Sequence, residues 1–217
     1  MIPHDHAIML YKFGESRWIN QIINGNLSFS CAGAFINQAE KTGNNIQGDK
    51  YEGVFARLKK EDQRIDEMKD LLGDDLELLQ DGEYTFLRRK SVKLRPIFCL
   101  FAYLAKDVVN DPSVKQTGVQ TVRLDFDHRL REGFVNTDTQ NVLSESHRFT
   151  LAYLLPKPFI DRMNIALFNN KISYDMNMVR YIDFNNEFFI TPTPHYNELL
   201  VKSNKYEYQH EARICLY

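Results

Sequence analysis

Strand-like and helix-like hydrophobic patterns are interspersed along this chain without regular succession, and this constrains its fold more than any other feature. Alternating or continuous apolar residues predict strands over 7–13, 119–127 and 206–216. Apolar residues at helical spacing predict helices over 59–72 and 158–168. A doubly wound parallel sheet requires strands and helices in strict succession, so the pattern predicts an α+β fold with mixed or antiparallel sheets and flanking helices.

The length of 217 residues suits a single α+β domain over 1–217. The charge-rich stretch 59–93 is predicted to be an insertion in that domain. Within it, Asp81-Gly82 lies between two apolar runs and predicts a hairpin turn. The segment Cys31 to Lys50 is rich in Gly, Ala, Asn and Gln, and it predicts a long surface loop.

Composition limits which binding partners and which cellular compartment we expect for this protein. A net charge of −2 provides no overall field that attracts nucleic-acid phosphates. Three cysteines without a CxxC pair are typical of reduced thiols. The longest apolar run, near 96–105, is about half of what a bilayer span requires. We therefore expect a cytoplasmic protein with no membrane partner, and the oligomeric state stays open.

The C-terminal segment KYEYQHEARICLY is the candidate site. As a strand, it places Glu207, Gln209, Glu211 and Arg213 on one face and apolar or aromatic side chains on the other. A carboxylate and an amide two residues apart could bind a ribose hydroxyl and stabilise positive charge at an anomeric carbon. The alternative is a solvated face in which Arg213 forms a cross-strand ion pair.

Both ends and the middle of the chain resemble a family of uncharacterised bacterial and phage proteins, some associated with abortive infection. The similar segments are LYKFGESRWINQIINGNLSFSCAGAFIN, GDKYEG, VRLDFD and the closing Tyr-x-Tyr-x-x-Glu-x-Arg-Ile. Their layout is also similar to that of ADP-ribosyltransferases. That resemblance implies catalytic roles for Glu211 and Gln209, and a set of cofactor-binding residues: Tyr11, Lys12, Ser28, Ser30 and Arg213.

The resemblance implies an ADP-ribosyltransferase-like protein of phage–host conflict. It would take NAD as substrate, need no metal, and transfer ADP-ribose to a protein or nucleic-acid acceptor. In the first motif this chain has Tyr-Lys where many transferases have Arg or His, and its second motif is Ser-Phe-Ser in place of Ser-Thr-Ser. These departures leave an alternative open, a non-catalytic protein that binds a nucleotide or signalling molecule and so counters host defence.

Two further patterns offer chemistry of another kind. Asp125 and Asp127, followed by His128, could hold Mg²⁺ as a nuclease requires, although aspartates are common where a strand enters a turn. The dense basic run 88–95 could bind phosphates, or it could be a solvated strand that balances the acidic stretch 62–83.

Overall fold

The computed structural model describes residues 6–42, 48–110, 122–123, 127–129 and 149–217. Its backbone contacts divide the chain into two compact units. Unit 1 lies within residues 1–27, 100–166 and 208–210, and unit 2 within 28–99, 167–207 and 211–217. Antiparallel sheets and helices occur in irregular order, which confirms the predicted α+β class. The single-domain assignment stays a prediction.

Unit 1 is built around its first strand, β1, which pairs antiparallel on both sides. Tyr11 of β1 lies opposite Phe101 on one neighbouring strand and opposite Tyr153 on the other. The elements are β1 (Ala7–Glu15), α1 (Ser16–Ile23), the second half of β6 (Pro96–Leu104), β7 (Val109–Asn110), β8 (Val122–Arg123), β9 (Phe149–Leu154) and α4 (Pro156–Asn169), which ends in unit 2.

Aromatic rings form the core of unit 1. Tyr11 and Phe101 stack with ring centroids 5.4 Å apart, and Phe13 meets Tyr11 edge-on at 5.5 Å. Ser16 is the first residue of α1, and its hydroxyl forms a 2.5 Å hydrogen bond with the Thr150 hydroxyl. Helix α1 therefore begins without a side-chain cap.

Unit 2 contains four strands that form one sheet: β3 (Val54–Lys59), β4 (Leu76–Asp81), β5 (Tyr84–Arg89) and β12 (Phe188–Phe189). The sheet is antiparallel in the order β12-β3-β5-β4, and helix α3 (Arg64–Leu72) lies between β3 and β4 in the chain. The hairpin predicted at Asp81-Gly82 is confirmed, and Gly82 adopts φ +61°, which suits glycine. The charged stretch 59–93 supplies β5, which is hydrogen-bonded along one edge to β3 and along the other to β4.

Shorter pairings complete unit 2. Strand β14 (Glu211–Leu216) pairs antiparallel with β10 (Tyr174–Met178), and β11 (Arg180–Ile182) runs parallel to β13 (Val201–Ser203). Strand β2 (Ser30–Cys31) pairs with the start of β6. Across both units, the 3₁₀ turns among the described residues are Gly73–Asp75, Lys90–Leu94, Ala105–Asp107, Asn197–Leu200 and Asn204–Gln209.

The predicted surface loop from Cys31 to Lys50 is wrong over much of its length, because residues Ala32–Thr42 form helix α2. Ala32, Ile36 and Ala39 are buried and recur at helical spacing. The high helix propensity of alanine favours this outcome over the loop that the Gly and Asn content predicts. Within the described residues, no helix is long and apolar enough to cross a membrane.

Candidate functional site

The predicted C-terminal strand is wrong in its first half. Residues Asn204–Gln209 form a 3₁₀ turn, His210 adopts φ +41°, and only Glu211–Leu216 form strand β14. Alternation of side chains between two faces therefore begins at Glu211. Of the four polar residues predicted to share one face, Glu211 and Arg213 belong to the strand, whereas Glu207 and Gln209 do not.

Glu211 is a buried carboxylate held by two cations. Its Oε1 accepts a hydrogen bond from Arg213 Nε at 2.6 Å, and its Oε2 accepts one from Lys202 Nζ at 3.0 Å. The backbone N–H of Glu211 donates to the Tyr181 hydroxyl at 2.8 Å. The side chain of Glu211 is only 4% exposed, so its charge is balanced inside the fold instead of by water.

Arg213 connects the C-terminal strand to the GDKYEG segment. Both terminal nitrogens of its guanidinium bond the carboxylate of Glu52, in a pair that is almost completely buried. One of these nitrogens also donates to the Leu199 carbonyl at 2.5 Å. A planar guanidinium matches a carboxylate in this two-point geometry, which a lysine does not reproduce.

Gly53 fixes the backbone immediately after Glu52. Its φ is +72°, and a Cβ added there would lie 2.5 Å from a methyl carbon of Val92. A larger residue would clash with Val92 and would also be strained in this conformation. The glycine that ends GDKYEG therefore allows Glu52 to approach Arg213.

Asp49 is the fifth member of what we call the ionic cluster, which consists of Asp49, Glu52, Lys202, Glu211 and Arg213. Its Oδ1 accepts the Tyr51 backbone N–H at 2.9 Å, and its carbonyl accepts the Glu52 N–H at 3.1 Å. The residue is 3% exposed. No donor within the described part of the chain bonds its second oxygen, Oδ2.

The charges of the ionic cluster act strongly on one another. Burial opposes ionisation of Glu211, but Arg213 and Lys202 lower its pKa far below the usual range for a glutamate. Burial also tends to lower the pKa of Lys202, and the surrounding carboxylates raise it. Burial raises the pKa of Glu52, and Arg213 opposes that rise. Glu211 is consequently a carboxylate that stays ionised although it is buried.

The other predicted site residues have varied environments. Tyr11 is part of the aromatic core of unit 1, and Lys12, the next residue of β1, is half-buried. Ser28 and Ser30 are exposed in unit 2, and Ser30 begins the short strand β2. Gln209 is buried at the end of its 3₁₀ turn, in unit 1. Their roles stay predictions.

Three of the five cations in the basic run 88–95 form ion pairs with carboxylates. Arg88 bonds Glu77 at 2.8 Å, and Lys93 bonds the other oxygen of Glu77 at 2.7 Å. Arg89 bonds Glu198, which is fully buried. The guanidiniums of Arg89 and Arg95 lie 4.1 and 4.0 Å from the ring centre of Tyr196. These contacts account for much of the run without a nucleic-acid ligand.

Of the two aspartates predicted to bind magnesium, the structure describes only Asp127. Asp125 lies outside the described residues. Asp127 accepts two hydrogen bonds from the Arg129 side chain, at 2.9 and 2.7 Å, which lower its pKa to about 2. Among the described residues, no group of three or more His, Cys, Asp or Glu is arranged to hold a metal ion.

Sequence reasoning missed three members of the ionic cluster, namely Asp49, Glu52 and Lys202. Asp49 and Glu52 belong to the GDKYEG segment, which carries the family resemblance, and this was the available signal. Lys202 lies on β13 and comes close to Glu211 only through the fold.

Comparison of the chain with protein-family models, curated proteins and solved structures finds no match.

Proposed function

We propose that this protein is an ADP-ribosyltransferase-like protein of phage–host conflict, which transfers ADP-ribose from NAD to a protein or nucleic-acid acceptor. The observation that supports it is the Glu52–Arg213 pair. This pair joins two segments on which the resemblance rests, GDKYEG and the closing EARI. The same arginine orients Glu211, the residue to which the resemblance assigns catalysis.

The charge of the ionic cluster supports NAD as the ligand. Three buried carboxylates surround two buried cations, so one negative charge is in excess when all five groups are ionised. Such a cluster attracts a cation, so it favours the nicotinamide end of NAD over the pyrophosphate. The oxidised nicotinamide ring of NAD is cationic, and the ribose attached to it becomes more positive as that bond breaks.

In the proposed reaction, the bond between C1′ of the ribose and the nicotinamide nitrogen breaks, and nicotinamide leaves with the electron pair. The carboxylate of Glu211 stabilises the oxocarbenium-like ribose, and a nucleophile of the acceptor then bonds C1′ and gives up its proton. Arg213 keeps one oxygen of Glu211 in place. The Lys202 ammonium, which holds the other oxygen, has to yield that position to the ribose.

The test is to incubate the protein with NAD labelled in its adenylate half, together with cell lysate. We expect label on a protein or nucleic acid, and we expect Glu211→Gln to lower the transfer rate at least 100-fold. Glu207→Gln is the matched control, because Glu207 is exposed and lies outside the ionic cluster. Unchanged transfer by a folded Glu211→Gln variant would contradict the proposal.

One observation favours a second candidate, a protein that binds a nucleotide or signalling molecule without turnover. Both oxygens of Glu211 already accept hydrogen bonds from cations, so neither is available to a ribose until Lys202 moves. Calorimetric titration with NAD, together with an assay for free nicotinamide, separates the two candidates. Binding without nicotinamide release supports the second, and release supports the first.

A further inference from the structure

Asp49 is anomalous among the buried charges of the ionic cluster. Its side chain is buried and fixed in orientation, because Oδ1 accepts the Tyr51 N–H at 2.9 Å. Its Oδ2 has no hydrogen-bond donor among the residues that the structure describes. A buried carboxylate oxygen without a donor is costly and rare in folded proteins, so it calls for a functional explanation.

The surroundings of Oδ2 restrict what could bind it. Glu52 is three residues away, and its N–H bonds the Asp49 carbonyl, so a second carboxylate lies on the same turn. The charge of Asp49 also acts on the buried ammonium of Lys202. An anionic group is disfavoured beside two carboxylates, whereas a hydroxyl donates a hydrogen bond without adding charge.

We propose that Asp49 Oδ2 accepts a hydrogen bond from a hydroxyl of the nicotinamide-side ribose, and that Asp49 thereby selects ribose over deoxyribose. This inference rests on the proposed binding of NAD and extends it to a specificity-determining residue. Carboxylates commonly recognise sugar hydroxyls in this way, because an ionised oxygen is a strong acceptor. The ligand would supply the donor that the fold lacks.

The first test is the stability of the protein without ligand. Asp49→Asn keeps an oxygen that can accept the Tyr51 N–H. It also removes the buried negative charge, which lacks a full set of hydrogen-bond donors. We expect its midpoint of thermal unfolding to equal or exceed that of the wild type. A purely structural Asp49, satisfied by bound water, predicts a fall of several degrees instead, and that result would overturn the proposal.

The second test measures binding of NAD and of two analogues that lack the 2′ or the 3′ hydroxyl of the nicotinamide-side ribose. We expect the wild type to bind one analogue about 10- to 100-fold more weakly than NAD. In Asp49→Asn that ratio should fall to about threefold or less, because the amide is a weaker partner. The control is Asp183→Asn, since Asp183 is only half-buried and accepts the N–H of residue 185 in the same local geometry.

The outcomes separate this inference from the proposed function. If only the Asp49→Asn variant loses the preference for NAD over the deoxyribose analogue, the result supports the inference, whether or not NAD is turned over. Equal discrimination in wild type and Asp49→Asn overturns the inference but leaves ADP-ribosyl transfer standing. Absence of NAD binding overturns both.

Discussion

Two buried glutamates of unit 2, Glu211 and Glu198, each bond an arginine, yet their pKa values move in opposite directions. Arg213 and Lys202 occupy both oxygens of Glu211 and lower its pKa. At Glu198, burial raises the pKa, and Arg89 only partly opposes it. Arg89 bonds Oε1 alone, while Oε2 has no partner among the described residues.

The difference shows that two cations on separate oxygens lower the pKa of a buried glutamate, whereas one arginine on a single oxygen leaves the pKa raised. Desolvation penalises the charged form, and at Glu211 the two cations together outweigh this penalty. They reach Glu211 because β13 and β14 each bring a cation to it. At Glu198 the penalty is not outweighed, so Glu198 is the easier of the two to protonate. The ionic cluster is therefore the region in which loss of one partner should cost most.

The largest effect is expected for Arg213→Met. This change leaves Glu52 and Glu211 buried without their shared cation and should lower the free energy of unfolding by about 3–5 kcal/mol. Urea unfolding followed by circular dichroism measures it. Arg213→Lys restores one charge but not the two-point contact, so its loss should be smaller. A loss below about 1 kcal/mol for Arg213→Met would contradict the central position of this arginine.

Arg89→Met should cost less, about 1–3 kcal/mol, although Arg89 is also buried. The reason is that Glu198, whose pKa is already raised, can take up a proton once its partner is gone. The same urea experiment, repeated at mildly acidic pH, should give a smaller loss than at neutral pH. A cost equal to that of Arg213→Met at both pH values would remove the distinction between the two glutamates.

The pH dependence of stability should differ in sign between the two sites. The folded-state pKa of Glu211 lies below the unfolded value of about 4.3, so its contribution is present above that pH and is lost as the pH falls. The folded-state pKa of Glu198 lies above that value, so its contribution is present at low pH and is lost as the pH rises through that folded pKa.

Glu211→Gln should therefore destabilise the protein more at neutral than at acidic pH. For Glu198→Gln the stability relative to wild type should improve as the pH rises. Chemical unfolding of both variants across about pH 4 to 7 measures these trends. Parallel curves for the two variants would show that their environments are equivalent.

The smallest effect is expected on the surface, at the Lys157–Asp161 pair of α4. These side chains are 84% and 53% exposed, and their 2.7 Å contact is open to solvent and salt. Lys157→Gln should change the free energy of unfolding by less than about 0.5 kcal/mol, measured by the same urea titration. A larger loss would mean that exposed pairs on this chain are as important as buried ones.

Several local features could be predicted from the sequence because short-range physics determines them. The hairpin at Asp81-Gly82 needs only a glycine that tolerates positive φ between two apolar runs. Helix α4 follows from apolar spacing and an early proline, and its predicted range 158–168 lies inside the observed Pro156–Asn169. Helix α2 was missed, because Gly and Asn obscured the spacing of its buried residues.

For the candidate site, the sequence alone determined that Glu211 and Arg213 project from the same face, since residues two apart on a strand do so. Only the tertiary structure decided that this face is buried, that Glu52 and Lys202 supply its partners, and that Gln209 lies outside the strand. Ion pairs between residues 161 positions apart depend on how the chain folds back on itself. No local periodicity in the sequence encodes such a contact, and so the chemistry of Glu211 follows from its neighbours in space.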